Sequence, residues 1–509
     1  MKKTVVILMI LTIISKILGF TRDLVLSFFY GASYISDAYL ISLTIPIIIV
    51  AIIGEGISTG FIPMYSGIKN KEGIRKADSF TNNLINVVIT ISTFIIITGL
   101  VFTKPIVQLF ASGFEENVLE LTVLFTRITL IGIYFTSLLY VFCAYLEVKG
   151  FFSAPAIMGL PLNLLLIASI IMSAQTNLFV LAGGSLAAIV SQFLFILIYA
   201  YKKGYRYKPI IDITNINIKK MLLLALPAVL GSSLVQINLL VDRTLASQIA
   251  VGGISALNYS GNLNDFILGM FVLTISTVMY PKISKMAAKN NMNEIKKAIA
   301  EAITAVHLLV IPATAGYMVF SEPIITLLYG RGEFDEQAIS MTSYAMFFYS
   351  FGLIGMGLRE ILSKAFFSLH DSKTPMINAG LAMILNIILN FVLSIFWGIG
   401  GLALATSISA IICSVLLLVS LRKKLGDFGI KNLSFSFLKI VFASIMMGGI
   451  CHLTHNFLTN KIQDSLALLF SIGLGIILYF VIIYFMKIKD VDQVAFEWKN
   501  KWQGHKKEG

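Results

Sequence analysis

The sequence predicts an all-α polytopic membrane protein, and three observations carry that reading. Hydrophobic residues fill 57% of 509 positions, charged residues fill 13%, and mean hydropathy is +0.88. Soluble domains run at roughly 45–50% apolar and about 25% charged. Fourteen apolar runs are each long enough for the ~20 residues that cross a hydrocarbon core, and basic residues collect in alternate loops.

The runs cover residues 4–30, 37–66, 80–103, 117–146, 154–173, 179–201, 221–248, 254–281, 298–320, 338–363, 375–397, 399–421, 435–458 and 464–486. The first follows a short basic start, MKK, with no small-residue cleavage site behind it, so it reads as a retained span rather than a signal peptide. With that start inside, cytoplasmic segments hold 30 of the 39 Lys and Arg residues, and outer loops hold only Lys104, Arg331 and Lys461. The positive-inside rule therefore places both termini in the cytoplasm. The net charge of +13 is a topology signal and a contact for anionic lipid headgroups, not a nucleic-acid footprint. Cys143, Cys413 and Cys451 fall in apolar runs without metal-ligand spacing and read as small core residues. The loops are too short to hold a soluble catalytic domain.

The chain repeats itself. KPIVQLF (104–110) answers EPIITLL (322–328) at an offset of 218, and LSFFYGASYISDAY (26–39) answers LASQIAVGGISALNY (245–259) at nearly the same offset. FFSAP (151–155) answers DSKTP (371–375), and Gly183-Gly184 answers Gly400-Gly401. Six spans per repeat is an even number, so both halves enter the membrane in the same sense, as alternating-access transporters with parallel repeats do. The expected organisation is a six-helix lobe over 1–203, a second over 204–426, two added helices over 427–487 and a basic tail over 488–509. The two lobes are expected to form a V around a solvated cavity.

A charge at bilayer depth costs at least ~2.5–3.5 kcal/mol, so it normally faces a bundle interior or a wet cavity. Apart from Glu120, Glu301, Lys439 and Asp464 near the starts of their runs, the charges inside the runs are Lys16, Arg22, Asp23, Asp37, Glu55, Arg127, Asp242, Arg243, Asp265, Arg359 and Glu360. Ser15, Gly19 and Arg22 share one helical face and form a small-small-basic stripe. Asp242-Arg243 repeats Arg22-Asp23 in reversed order at the matching place of the second half, which favours a lining over interfacial anchors. Arg127 and Arg359-Glu360 are balanced between span ends and functional charges. Asn386, Asn390 and Thr406 offer hard oxygen ligands for a small cation, with Asp242 supplying charge; interhelical hydrogen bonding is the competing reading. Pro46 and Pro227 are expected to interrupt their spans, and Gly54-Glu55-Gly56 to loosen the second. His307, His452, His455 and His505 show no partner pattern.

Seven stretches carry a resemblance: SKILGFTRD (15–23), SDAYLISLTIP (36–46), GEG (54–56), FIPMYS (61–66), LYGRGEFDEQA (328–338), FGLIGMGLREILSKAFFSLHDSKTP (351–375) and GGLALATSISA (400–410). With them the chain resembles the lipid II flippase family (MurJ, also MviN), of the multidrug/oligosaccharidyl-lipid/polysaccharide exporter superfamily. The resemblance implies a bacterial inner-membrane transporter, not an enzyme, which moves undecaprenyl-pyrophosphate-linked glycan precursors to the outer leaflet. Its implied partners are lipid II, membrane lipids and cell-wall synthesis proteins, with no nucleic acid. No cofactor is required, and sodium is implied as a coupling or structural ion. Matched by position, Ser15, Arg22, Asp23 and Asp37 coincide with polar residues tied to function in that family, and Asp242, Asn386, Asn390 and Thr406 fall where some members bind sodium. Asn390 replaces an aspartate of some members. Val50 and Asn262 stand where the family usually carries arginine, so the cavity holds a pyrophosphate on fewer cations.

The sequence reading is therefore a lipid-linked glycan flippase, with lipid II as the leading substrate. Arg22, helped by Lys16 and Arg243, would take the pyrophosphate by charge-assisted hydrogen bonds. Asp37, Glu55 and Asp242 would bias the inward and outward states, and the last two spans would guide the polyprenyl tail. The competing readings are a flippase for another lipid-linked polysaccharide precursor, a drug exporter, a membrane-embedded transferase and a scaffold of a division complex.

Overall fold

The computed structural model describes residues 2–486 apart from 213 and 290, so the tail expected over 488–509, with His505, lies outside the described residues. In chain order the helices are α1 (Lys2–Tyr30), α2 (Tyr34–Glu72), α3 (Ile74–Val101), α4 (Thr103–Phe110), α5 (Glu116–Leu130), α6 (Gly132–Val148), α7 (Ser153–Ile157), α8 (Gly159–Gln175) and α9 (Phe179–Lys202). They continue as α10 (Ile216–Ile249), α11 (Gly253–Ile267), a π-helical turn (Leu268–Val272), α12 (Leu273–Ala288), α13 (Met292–Val319) and α14 (Ser321–Tyr329). The last four are α15 (Glu336–Ser368), α16 (Lys373–Leu425), α17 (Ile430–Thr459) and α18 (Asp464–Phe485).

Twelve helices among the described residues are long and apolar enough to cross a membrane. The difference from the fourteen runs lies at two places. α1 is not among the twelve, and the side chains of its first turns lie outside the described residues. The runs 375–397 and 399–421 form one helix of 53 residues, α16, which breaks at Gly398 with φ 53° and ψ −129°. That backbone conformation is open to glycine and strained for any residue with a Cβ.

Contacts divide the chain into two compact units. The first runs from the N-terminus to Ser255 and includes Arg331–Ala338; the second holds Ala256–Gly330 and the chain from Ile339 onward. In the first unit α2 is the central element, packed on α3, α5, α6 and α10. Its core at one end joins Phe61, Tyr65, Phe80, Tyr145, Tyr205 and Met221. The glycines of α2 serve this packing instead of loosening the helix. A Cβ on Gly54 would stand 2.6 Å from the Tyr140 ring, and one on Gly56 would touch Val229 and Ala225 of α10. The segment between α9 and α10 is strapped to α3: Asn82, Asn83 and Asn86 donate to the carbonyls of Arg206, Asp212 and Ile210 at 3.2, 2.9 and 2.9 Å.

Neither Pro46 nor Pro227 interrupts its helix; α2 runs on for 39 residues and α10 for 34. Proline removes the N–H that would bond the carbonyl four residues earlier, and in lipid that carbonyl needs another donor. For Pro46 the carbonyl is Ser42 O, and Thr129 of α5 donates its hydroxyl there at 2.6 Å. The second unit repeats the device. Pro312 lies inside α13, and Tyr479 of α18 donates to Leu308 O at 2.8 Å. Close before the π-helical turn, Tyr317 of α13 donates to Leu263 O of α11 at 3.0 Å. The second unit has two cores, one among α12, α13, α15 and α16 around Val306, Leu353 and Leu362, the other joining α13 to α17 and α18 around Ile311, Met447 and Leu468.

Outside the membrane spans, Asp371 holds the turn between α15 and α16. It accepts from Thr374 N and Oγ1, both at 3.0 Å, and from Lys424 Nζ at 2.6 Å. The Lys424 ammonium, with help from Thr374, holds this carboxyl below the usual carboxylate range. A depressed folded value stabilises the fold above the unfolded value of ~3.9 and loses that contribution as pH falls through the folded value. Asp371→Asn should therefore lower the thermal midpoint at neutral pH by the equivalent of about 1 kcal/mol, the usual worth of a cap. In a melting series the gap to wild type should close below roughly pH 4; a gap that is constant with pH would contradict the ion pair.

Candidate functional site

The first unit ties together four helix ends and two loops. α1 stops at Tyr30, and Gly31 (φ 59°) turns the chain toward Ser33. The Ser33 N–H donates to Ser36 Oγ at 2.9 Å and so starts α2, which sets Asp37 in its first turn, 1% exposed. Asp37 reaches the start of α11. Its Oδ2 accepts from Gly252 N at 2.8 Å, and its Oδ1 accepts from Ser255 N at 2.8 Å and Ser255 Oγ at 2.6 Å. Ser36 Oγ and Ser255 Oγ lie 2.8 Å apart. A helix start presents unsatisfied N–H groups and a partial positive charge, so a carboxylate there is a cap supplied from another helix. Gly252 (φ 78°) sits so close to Ala32 O that no Cβ fits. Arg243 of α10 completes the group, donating to Ile254 O at 2.8 Å and lying within Coulombic reach of Asp37.

Beside this cap, each repeat grips the other. The loop after α4 docks on the end of α10: Gly113 N donates to Ser247 Oγ at 3.1 Å, Gln248 Nε2 to Ser112 Oγ at 2.7 Å, and Thr244 Oγ1 to Leu109 O at 2.8 Å. The matching loop after α14 docks on the end of α1, where Glu333 N donates to Phe28 O at 2.9 Å. Gly332 (φ 67°) lies directly against that carbonyl. The two loops are the partners of the repeated KPIVQLF and EPIITLL stretches. Sequence reading found the repeat but not the grip. The signal was the glycine in each loop, Gly113 and Gly332.

The remaining candidates lie on α1, α2, α10 and α16. Arg22 folds back on its neighbour, with Nε and Nη2 at 2.9 and 2.7 Å from Asp23 Oδ1. The Asp23 side chain is 7% exposed and that of Arg22 32%. Ser15 and Gly19 face α8: Asn163 Nδ2 lies 3.5 Å from Ser15 O, and a Cβ on Gly19 would meet the Asn163 amide at 3.9 Å. Lys16 is exposed, and Glu55 is half-buried. In the second unit Asn386 donates to Thr406 Oγ1 at 3.3 Å and Ser409 Oγ at 3.0 Å, and Asn390 donates to Asn386 Oδ1 at 2.9 Å. Each of these bonds aims an amide N–H at a neighbouring oxygen, which is the hydrogen-bonding reading of this group. Asp242, the acid expected to supply charge, belongs to the first unit, where Asn238 Nδ2 lies 3.4 Å away. Among the described residues no group of three or more His, Cys, Asp or Glu side chains could hold a metal ion.

The second unit also contains an apolar cavity of about 430 Å³ between α13, α14, α17, α18 and the π-helical turn. Phe271, Pro312, Tyr317, Met447, Gly475 and Tyr479 line it. The two hydroxyls that satisfy the carbonyls near Pro312 and the π turn therefore belong to its wall.

The fold is that of a membrane exporter. An inward-facing multidrug resistance MATE family transporter of the MOP superfamily aligns with TM-score 0.71 over 81% of this chain and 95% of its own, at 15% identity, which speaks for the fold alone. A structure of lipid II flippase MurJ in an inward closed conformation aligns with TM-score 0.83 and 28% identity over 94% of this chain and 98% of its own. Residues 26–486 match the family described as Lipid II flippase MurJ, and the chain belongs to that family. A probable lipid II flippase MurJ of Buchnera aphidicola is 31% identical over 80% of this chain and 81% of its own. That of Vibrio cholerae is 29% identical over 97% of both.

The contact between α1 and α8 makes a direct prediction. Cysteine at Ser15 or Gly19 should react slowly with a membrane-permeant thiol reagent, and cysteine at Lys16 quickly. Equal rates at the three positions would contradict the packing of that face on α8.

Proposed function

We propose that this chain flips lipid II from the inner to the outer leaflet of the bacterial plasma membrane by alternating access, and that the Asp37 cap is its outer gate. One observation carries the gate: Asp37 of the first repeat holds the start of α11 in the second through three hydrogen bonds. Release to the outer leaflet requires that tie to open. A charge-assisted hydrogen bond contributes roughly 1.5–3 kcal/mol, so each one lost shifts a two-state balance by about 10–100-fold.

The headgroup path in this reading follows α1, α2 and α10. Arg22 offers the pyrophosphate a guanidinium that Asp23 keeps oriented and partly neutralised; the anion competes with Asp23 for it, helped by Lys16. Ser15 positions α1 against α8, and Glu55 sits farther along α2. Arg243 trades between its carbonyl on α11 and the passing anion, which links occupancy to the gate. The polyprenyl tail uses the apolar cavity beside α17 and α18. The lobes are taken as 1–203 and 204–426, with 427–487 as the added pair and both termini cytoplasmic, which the distribution of basic residues supports. Sodium is the proposed coupling ion, and cell-wall synthesis proteins are the proposed neighbours.

Depletion should leave lipid II accumulating on the inner leaflet; accumulation of a different lipid-linked glycan alone would overturn the substrate. Asp37→Asn puts an amide where a double acceptor is required, so at matched expression it should lose complementation by about tenfold or more. Arg22→Ala should lose transport with folded yield intact. Wild-type growth of either variant would remove that residue from the mechanism.

A further inference from the structure

Arg127 is unexplained by the gate or by the proposed headgroup path. It lies eleven residues inside α5, about 16 Å from the helix start at ~1.5 Å per residue, and its side chain is exposed. Among the described residues it makes no ion pair or hydrogen bond. A guanidinium at that depth without a counter-charge is costly, and such residues normally have an anionic or water-filled surrounding. Arg127 opens into a cleft of about 230 Å³ formed with Lys104, Leu119, Glu120, Val123 and Leu124.

The charges of the cleft have an order. Lys104 pairs with Glu116 at 2.5 Å and also lies within Coulombic reach of Glu120, so two cations face two carboxylates across the cleft and its net charge is near zero. The Arg127 cation lies deep and the Glu120 anion nearer the helix start. Seven residues separate them, two turns or ~10.5 Å along one face. Ile131, 40% exposed and about one turn beyond Arg127, continues the apolar surface toward the bilayer centre.

We propose that this cleft binds an amine-bearing zwitterionic phospholipid, with its phosphate on Arg127 and its ammonium on Glu120. A phosphoethanolamine headgroup spans the two charges when each end makes a charge-assisted hydrogen bond of roughly 2.8 Å. Its phosphate lies deeper than its ammonium, in the order the cleft presents, and its chains run inward past Ile131. A choline headgroup has no N–H to give Glu120. A glycerol headgroup brings net negative charge against Glu120 and Glu116. The site is separate from the proposed transport path, and its test reads binding alone.

The test titrates delipidated full-length protein in detergent with phosphatidylethanolamine, phosphatidylcholine or phosphatidylglycerol and counts retained lipids by intact-complex mass spectrometry. Wild type should retain one phosphatidylethanolamine about tenfold or more tightly than either other lipid. Arg127→Gln should lose that retention, and Glu120→Gln should bind phosphatidylethanolamine and phosphatidylglycerol alike. No headgroup preference in wild type, or unchanged preference in Arg127→Gln, would overturn the site. So would displacement of the lipid by inorganic phosphate, which would mark a free-anion site. If Arg127→Gln yields no folded protein, Glu120→Gln decides alone, because its side chain is exposed on the helix surface; an unchanged preference there overturns the proposal.

Discussion

A single carboxylate, that of Asp37, joins the two repeats at the start of α11. Burying an ionised group is expensive unless donors surround it, and here three donors and a helix start do so. The arrangement is strong only while the helix start and the carboxylate face each other. Once α11 moves away, both ends have to find water or another partner. That makes the contact suited to a gate: it is stable when closed and open to replacement by solvent. Arg243 and the two docked loops set the distance over which it forms.

The second constraint comes from lipid, where no water completes a broken backbone bond. Proline disturbs a helix inside a span, and at Pro46 and Pro312 a hydroxyl from a neighbouring helix serves the carbonyl left without a donor, while Tyr317 adds a bond just before the π turn. Two of those hydroxyls, on Tyr317 and Tyr479, stand in the wall of the apolar cavity. Bent helices in this fold are thus held by specific partners.

The spans were legible because hydrocarbon selects long apolar runs without regard to tertiary detail. The boundary between the eleventh and twelfth runs even falls on Gly398, where the backbone turns. The compensated prolines were not legible: sequence displays the missing N–H of Pro46 but not the Thr129 hydroxyl that replaces it, because the two lie on different helices. The same limit governs the site. Asp37 stood out as a charge inside a span, and Ser255 appeared in the repeat, yet nothing in the pattern joined them. Ser15 and Gly19 share a face with Arg22, but small residues suit a wet lining and a close helix contact equally, and here Asn163 of α8 occupies that face. Asn386, Asn390 and Thr406 do come together, through the hydrogen bonds that compete with the cation reading.

The central claim is that the tie between the repeats must open during every cycle. Ser112 and Gln248 lie on the two sides of that tie, with Oγ and Nε2 2.7 Å apart. Ser112→Cys and Gln248→Cys combined in a variant lacking the three native cysteines put one thiol on each side; the cysteine at 248 ends two bonds short of the glutamine Nε2, and a short bifunctional methanethiosulfonate bridges the gap through reducible disulfides. Flipping of fluorescent lipid II in proteoliposomes, measured before and after that bridge is formed, reads the claim directly. The account predicts that the bridge stops flipping and that reduction restores it. Undiminished flipping in the fully cross-linked protein would contradict it.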